Sequence, residues 1–273
     1  FTQVMSDLRS IDYAGRVSFS RYNEPFGDDI IFDRFAETRA ALPRARLFVF
    51  SNGDFLTADK LARTRDLGID DLQIGVYLPN GTNWTRTLAE RYLRRTAERL
   101  SLLIDRRREA EGERISYGSR MGQMQISLFC PNYAGYGSDR GGTIAGVPTH
   151  GQPRISPCPY PVTDVYIDYN GQVMPCCHLR SDVANHHECT LGRIDSTPGS
   201  VFDVWAGVVA ARWRLALSQF SEKTGPCSKC TAREWADTPV ARWLFETKLP
   251  GNNTPKCSQP LTLPLPIVSQ PAN

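Results

Sequence analysis

No stretch of this chain approaches the ~18 consecutive apolar residues that a membrane-spanning helix requires. Its first residues carry no basic segment followed by an apolar one, so no secretory leader is read there. Charge of one sign is not in excess. The 32 Lys and Arg face 29 Asp and Glu, and a net charge of +3 is too small to argue for a nucleic-acid partner. No internal repeat is visible. At 41% hydrophobic and 22% charged, the 273 residues can bury a sizeable core as one large domain or two smaller ones.

Cysteine, by contrast, is plentiful, with eight in the chain. An exported protein would use them as disulfides, and a cytosolic one for metal or catalysis. The absent leader and a CxxC pair favour metal and a cytoplasmic setting.

The first half alternates short apolar strands with amphipathic helices. Helical spacing covers 1–12 and 29–41, where Ile30, Ile31, Phe35 and Thr38 share a face. Thr57 is a helix N-cap and Gly68 the stop of that helix. A long helix is expected over 85–111. Strands are read at 15–22, 46–50, 72–78 and 123–129. Such alternation predicts an α/β fold with a parallel sheet and right-handed crossovers. The eight arginines of the 85–111 segment, interleaved with Glu90, Glu98, Asp105 and Glu109, read as a solvated outer face.

Residues 131–157 turn rich in Gly, Pro, Ser and Tyr and read as a connecting loop. Beyond them, 164–168 and 172–175 flank Asn170-Gly171, a strong hairpin signal. A helix is expected over 201–219, and a disordered tail over 248–273.

Cys158 precedes that hairpin and Cys176 ends it, so the two can lie side by side. Cys227 and Cys230 form the CxxC, whose turn aims two thiolates at one point. Four such sulfurs suit Zn²⁺ or an iron–sulfur cluster, and spacing alone leaves cluster, zinc and disulfides open. Of the rest, Cys177 is expected to point away into packing and Cys130 to be a small buried hydrophobe. A metal site from Cys189, His186 and His187 is the lesser reading of those residues. Cys257 is expected to be free.

The residues around the four cysteines carry a resemblance. Cys158-Pro159-Tyr160, Val165-Tyr166-Ile167-Asp168 and Asn170 to Cys177 resemble the SPASM/twitch domain of radical S-adenosylmethionine (SAM) enzymes. So do Leu191-Gly192-Arg193-Ile194, Val204-Trp205 and Pro226 to Cys230. Further cysteines do not follow within the next twenty-five residues, which is similar to the shorter twitch form with one auxiliary [4Fe–4S] cluster. In the first half, Asn23-Glu24-Pro25 looks like the Gly-Glu-Pro loop that meets the SAM amino group, with Asn23 in the glycine's place. Ser51-Asn52-Gly53 looks like the end of the third barrel strand. Gly75 stands where family members often place a polar residue for the ribose. Asp139-Arg140-Gly141-Gly142 looks like the stretch leading into the SPASM domain.

The resemblance implies a partial (β/α) barrel over 1–130 and a cluster domain over 158–247. It implies SAM at Asn23, Glu24, Pro25, Ser51 and Asn52, and an auxiliary cluster on Cys158, Cys176, Cys227 and Cys230. The CxxxCxxC motif of the catalytic cluster is not in the chain. It would lie just before the first helix, so the chain is expected to be the later part of a longer protein, inactive alone. The stretch before Arg140 is expected to be short by one strand–helix unit. The complete protein would generate a 5′-deoxyadenosyl radical and abstract hydrogen from a peptide or small-molecule substrate, with a flavodoxin or ferredoxin as electron donor. A catalytically silent iron–sulfur or zinc-binding scaffold is the alternative.

Overall fold

The structure, a computed structural model, describes residues 1–110, 112–135, 137–147, 149, 151–232 and 239. The expected tail and Cys257 lie outside them. The chain divides into two compact units, residues 1–136 and residues from 137 onward.

In the first unit the strands are β1 (Arg16–Phe19), β2 (Arg46–Ser51), β3 (Asp71–Gly75), β4 (Asp105–Ala110), β5 (Arg114–Met121) and β6 (Met124–Pro131). They form one sheet in the order β1-β2-β3-β6-β5-β4. The pairs β1–β2, β2–β3 and β3–β6 are parallel. The helices are α1 (Thr2–Ser10), α2 (Ile30–Ala41), α3 (Ala58–Asp66) and α4 (Arg86–Arg99). The crossovers through α2, α3 and α4 all step the same way across the sheet, and right-handed crossovers then put these helices on one face. The α/β reading with four parallel strands therefore holds.

The 85–111 helix does not. It stops at Arg99, beyond which Ser101 turns left-handed at φ 53°. The alternating polar run that follows, with a glycine turn at Gly112 (φ 70°), pairs as the antiparallel hairpin β4–β5. Strand β5 then pairs antiparallel with β6. A hairpin thus stands where a further strand–helix unit was expected, so the segment is short because a hairpin needs fewer residues than a crossover. Arg106, Arg107 and Arg108 leave the helix for β4, and Arg107 pairs with Glu90 at 2.7 Å and Glu109 at 2.8 Å.

The inward face of α2 differs by a fraction of a turn from the expected one. Phe32, Phe35 and Thr38 are buried, while Ile30 is 49% exposed. Phe35 meets Phe19, Phe26 and Phe32 ring against ring, at centroid distances of 4.9, 6.2 and 6.1 Å. Arg39, near the end of α2, donates to the carbonyls of Ala45 and Gly68 at 2.8 and 2.6 Å and to Asp70 at 2.8 Å. Those bonds tie the helix to the starting edges of β2 and β3. Thr57 caps α3 by accepting from Lys60 N at 3.1 Å, and the chain leaves the helix at left-handed Gly68.

The second unit holds α5 (Tyr160–Thr163), β7 (Tyr166–Ile167), β8 (Gln172–Met174), β9 (Gly192–Arg193), α6 (Ser200–Ala206) and α7 (Val208–Ser218). The antiparallel sheet β7-β8-β9 turns at Asn170-Gly171, where Gly171 adopts φ 81°. The helix expected over 201–219 is two. It breaks at Gly207, where a Cβ would lie 2.8 Å from the carbonyl of Asp203. Among the described residues, no helix is long and apolar enough to cross a membrane.

Phe35→Ala should lower the unfolding free energy by about 3–5 kcal/mol. Ile30→Ala should stay within about 0.5 kcal/mol of the parent, as an exposed substitution does. Denaturant unfolding of the two variants checks the side-chain register of α2.

Candidate functional site

Two places gather the residues singled out from the sequence, one in each unit.

In the first unit, the C-terminal ends of the parallel strands carry Glu24, Ser51 and Asn52. Glu24 sits after β1, in front of a short 3-10 turn at Pro25–Gly27. Its carboxylate accepts from Ser51 Oγ at 2.7 Å, from the Asn52 amide at 2.7 Å and from the Phe26 amide at 3.2 Å. Pro25 and Phe26 are buried and Asn23 is exposed. Arg99 fixes the loop after β2 by donating to the carbonyls of Gly53 and Leu56 at 2.7 and 2.6 Å. Gly75, at the end of β3, faces the ring of Phe129. A Cβ there would lie 3.3 Å from that ring and 3.5 Å from that of Phe50, so a side chain would require the rings to shift. Along the same edge, Tyr77 and Tyr133 stack with centroids 5.7 Å apart and planes 11° apart, 48% and 38% exposed. The sequence reading passed over this pair because Tyr77 fell inside an expected strand.

In the second unit, Cys158, Cys176, Cys227 and Cys230 line one cavity. They come from three chain segments. Cys158 lies two residues before α5, with its amide bonded to the Leu217 carbonyl of α7 at 2.8 Å. Cys176 follows β8. Cys227 ends a 3-10 turn at Gly225–Cys227, and Cys230 N bonds Cys227 O at 3.3 Å. The apolar part of the wall includes Pro175, Leu179, Trp213 and Leu217. Tyr160, His178, Arg154 and Lys223 also line it, the last two almost wholly buried.

None of the seven described cysteines is in a disulfide. Among the described residues, no three His, Cys, Asp or Glu side chains stand close enough to grip a single ion.

The electrostatics of the four sulfurs pull in two directions. Burial pushes the Cys158, Cys176 and Cys227 thiols up, and each is raised further by neighbouring cysteines. Backbone amides oppose this. Tyr160 and His178 bond the sulfurs of Cys158 and Cys176, and Ala232 N lies 3.5 Å from Cys230 Sγ. Each of these amides is two residues beyond its cysteine. Arg154 also favours the anionic forms of Cys158 and Cys227. Lys223 is lowered to about 8, chiefly by burial and secondly by Arg154, against the pull of Cys227 and Cys158.

The remaining cysteines fall elsewhere. Cys177 lies in a turn beyond the end of β8 and is half-buried, so strand alternation does not send it into the core. Cys130 is fully buried at the end of β6, and burial pushes its thiol up to about 11. Cys189 packs in the core of the second unit. His186 is buried with both ring nitrogens engaged, accepting from Arg180 N at 3.2 Å and bonding Gly141 O at 2.9 Å. His187 is exposed, so these three residues do not assemble a metal site.

The folded thiols keep their protons above the ordinary 9.0. The stability of iron-free protein is therefore complete below about pH 9 and falls as pH rises through that value toward the raised ones. Lys223 acts in the opposite sense between about 8 and 10.5, as one group against three. The thermal midpoint of the second unit should drop as pH rises above about 9 in iron-free protein. It should not drop in loaded protein, whose ligands are already thiolates. Calorimetry at stepped pH reads the difference, and a flat iron-free profile would contradict the burial of these sulfurs.

Residues 158–231 match the family model SPASM, described as an iron-sulfur cluster-binding domain. The chain is 26% identical over 176 residues to the S-adenosyl-L-methionine-dependent 2-deoxy-scyllo-inosamine dehydrogenase of Niallia circulans. That match takes in 64% of the chain and 59% of the relative, so the chain spans about three fifths of the relative's length. Among solved structures, BtrN in complex with AdoMet and 2-DOIA is similar at a TM-score of 0.59 and 22% identity, over 84% of this chain and 78% of that one. An open conformation of BtrN gives a TM-score of 0.53 at 20% identity, over 84% and 77% of the two chains. These likenesses give the chain the fold of BtrN, with residues 158–231 matching an iron–sulfur cluster-binding SPASM domain.

Proposed function

We propose that this protein is the SAM-binding and auxiliary-cluster part of a radical SAM dehydrogenase acting on a small hydroxylated molecule. The observation that carries the reading is the ring of four cysteines lining one cavity inside the matched cluster-binding domain. Cys158, Cys176, Cys227 and Cys230 would each give one thiolate to a single auxiliary [4Fe–4S] cluster. Bound there, the cluster would supply a one-electron acceptor for a substrate radical, while SAM at the first unit would supply the 5′-deoxyadenosyl radical that takes the hydrogen atom.

This chain's own residues do the positioning. A carboxylate offers about four acceptor sites, and three on Glu24 are taken by Ser51, Asn52 and Phe26. The carboxylate is therefore held in place with capacity left for one more donor, such as the ammonium of SAM. Asn23, Pro25, Ser51 and Asn52 would flank that ammonium at the strand ends, the edge where open parallel sheets bind ligands. A small-molecule substrate is preferred over a peptide because the relative and the solved neighbour both name one.

On the same reading, residues 1–130 are the partial barrel and 158–247 the cluster domain. A reduced flavodoxin or ferredoxin would be the electron source, and the cytoplasm, which keeps thiols reduced, the compartment.

Anaerobic reconstitution with iron and sulfide should give a brown protein. Cys→Ala at 158, 176, 227 or 230 should each cut its iron content, whereas Cys177→Ala should not. Zinc filling the site under those conditions would overturn the cluster assignment. In the complete protein, Glu24→Ala should weaken SAM binding by at least about tenfold, corresponding to the loss of a charged hydrogen bond of about 1.5–3 kcal/mol. Calorimetric titration measures this, and unchanged affinity would remove Glu24 from the site.

A further inference from the structure

Arg154 lies in the stretch read from sequence as a connecting loop, yet only 3% of it is exposed. Its guanidinium donates from Nε to Ser156 O at 3.0 Å and from Nη2 to Pro157 O at 2.6 Å. From Nη1 it donates to Ala232 O at 2.6 Å and, more weakly, to Cys230 O at 3.4 Å. One planar fork therefore grips the chain just before Cys158 and the chain at and just after Cys230. The main chain of Arg154 adds two bonds across the same gap, donating to Ser228 O at 2.7 Å and accepting from Lys223 N at 2.8 Å. Lys223 is 2% exposed, and its ammonium donates to the carbonyls of Gln219 and Ser221 at 2.6 and 2.7 Å. Both cations line the cavity of the four cysteines.

Burying two cations side by side is costly by desolvation, and their repulsion adds to it. Four thiolates across the cavity would be the opposite charge that offsets this cost. A cluster on four thiolates is anionic and becomes more so on reduction, and its potential follows net charge, hydrogen bonding and exposure.

We propose that Arg154 is a positioning residue for the group held by the four cysteines. Its fork sets the spacing between the segments of Cys158 and Cys230. Its charge, together with that of Lys223, favours the reduced state of that group and so raises its reduction potential. The proposal rests on the reading of the four cysteines as a cluster site.

The test uses the 273-residue chain and its Arg154→Met, Arg154→Lys and Lys223→Met variants, each reconstituted anaerobically with iron and sulfide. Iron loss to a chelator and the midpoint of a redox titration are read on each. Arg154→Met should lose iron about tenfold faster, as changes to outer-shell partners of metal sites do, and titrate at a more negative potential. Arg154→Lys keeps the charge without the planar fork, so it should lose iron faster at a potential near the parent's. Lys223→Met should titrate more negatively with iron retention near the parent's.

Arg154→Met that holds iron as well as the parent, at the parent's potential, overturns the proposal. If Arg154→Met lacks a cooperative melt, the other two variants decide. Parent-like retention in Arg154→Lys together with an unchanged potential in Lys223→Met then overturns it. Failure of the cluster reading shows separately, as unchanged iron and absorbance in Cys176→Ala.

Discussion

The constraint around which the second unit is built is the placing of four sulfurs, from three chain segments, about one enclosed space. Thiolates repel one another, and burial magnifies that repulsion by lowering the dielectric. The unit answers it with local devices. The turn at Asn170-Gly171 returns the chain so that Cys176 reaches the cavity that Cys158 lines. The break at Gly207 lets α7 run as a separate helix, whose Trp213 and Leu217 wall the cavity and whose Leu217 carbonyl anchors Cys158. Amides two residues beyond Cys158, Cys176 and Cys230 point at sulfur. Two cations sit in the wall. Each device has a separate local cause: the turn and the helix break place the sulfurs, and the amides and cations favour their anionic forms.

The first unit separates structural from chemical duties along its strands. At the starting edge, Arg39 joins α2 to the beginnings of β2 and β3, and Asp70 accepts from Leu47 N at 2.7 Å. Those groups are consumed in holding the sheet together. At the finishing edge, the loops after β1 and β2 converge on one carboxylate, while Arg99 and Lys60 brace them by donating to the carbonyls of Gly53, Leu56 and Phe26. Loops fixed in this way present a ligand with groups already in position, which lowers the ordering cost of binding.

What could be read from the sequence follows from which physics is local. The four parallel strands, the cap at Thr57 and the hairpin at Asn170-Gly171 each depend on a few adjacent residues, and the structure has all of them. The 85–111 segment was misread past Arg99 because its charged residues fit a solvated helix as well as a solvated strand. Only Gly112 marked the turn that decides between them. The grouping of Glu24 with Ser51 and Asn52 was legible through resemblance, not spacing. Arg154 was not legible at all. Its partners extend to Ala232, far along the chain, and nothing about an arginine in a Gly- and Pro-rich stretch announces burial.

The loop before Glu24 shows how a departure from a family pattern is absorbed. Glycine is the residue that enters left-handed backbone without steric cost, and Asn23 stands here where the resemblance expects one. The chain makes its left-handed turn at the two preceding residues instead, with φ of 120° at Arg21 and 59° at Tyr22. Non-glycine residues in sparsely populated backbone regions cost on the order of 1–3 kcal/mol each and persist only where their surroundings over-determine them. The surroundings here include the three hydrogen bonds to the Glu24 carboxylate and the burial of Pro25 and Phe26 just beyond it. Three hydrogen bonds and the packing of Pro25 and Phe26 hold the carboxylate against the end of β2 and offset the strain at Arg21 and Tyr22.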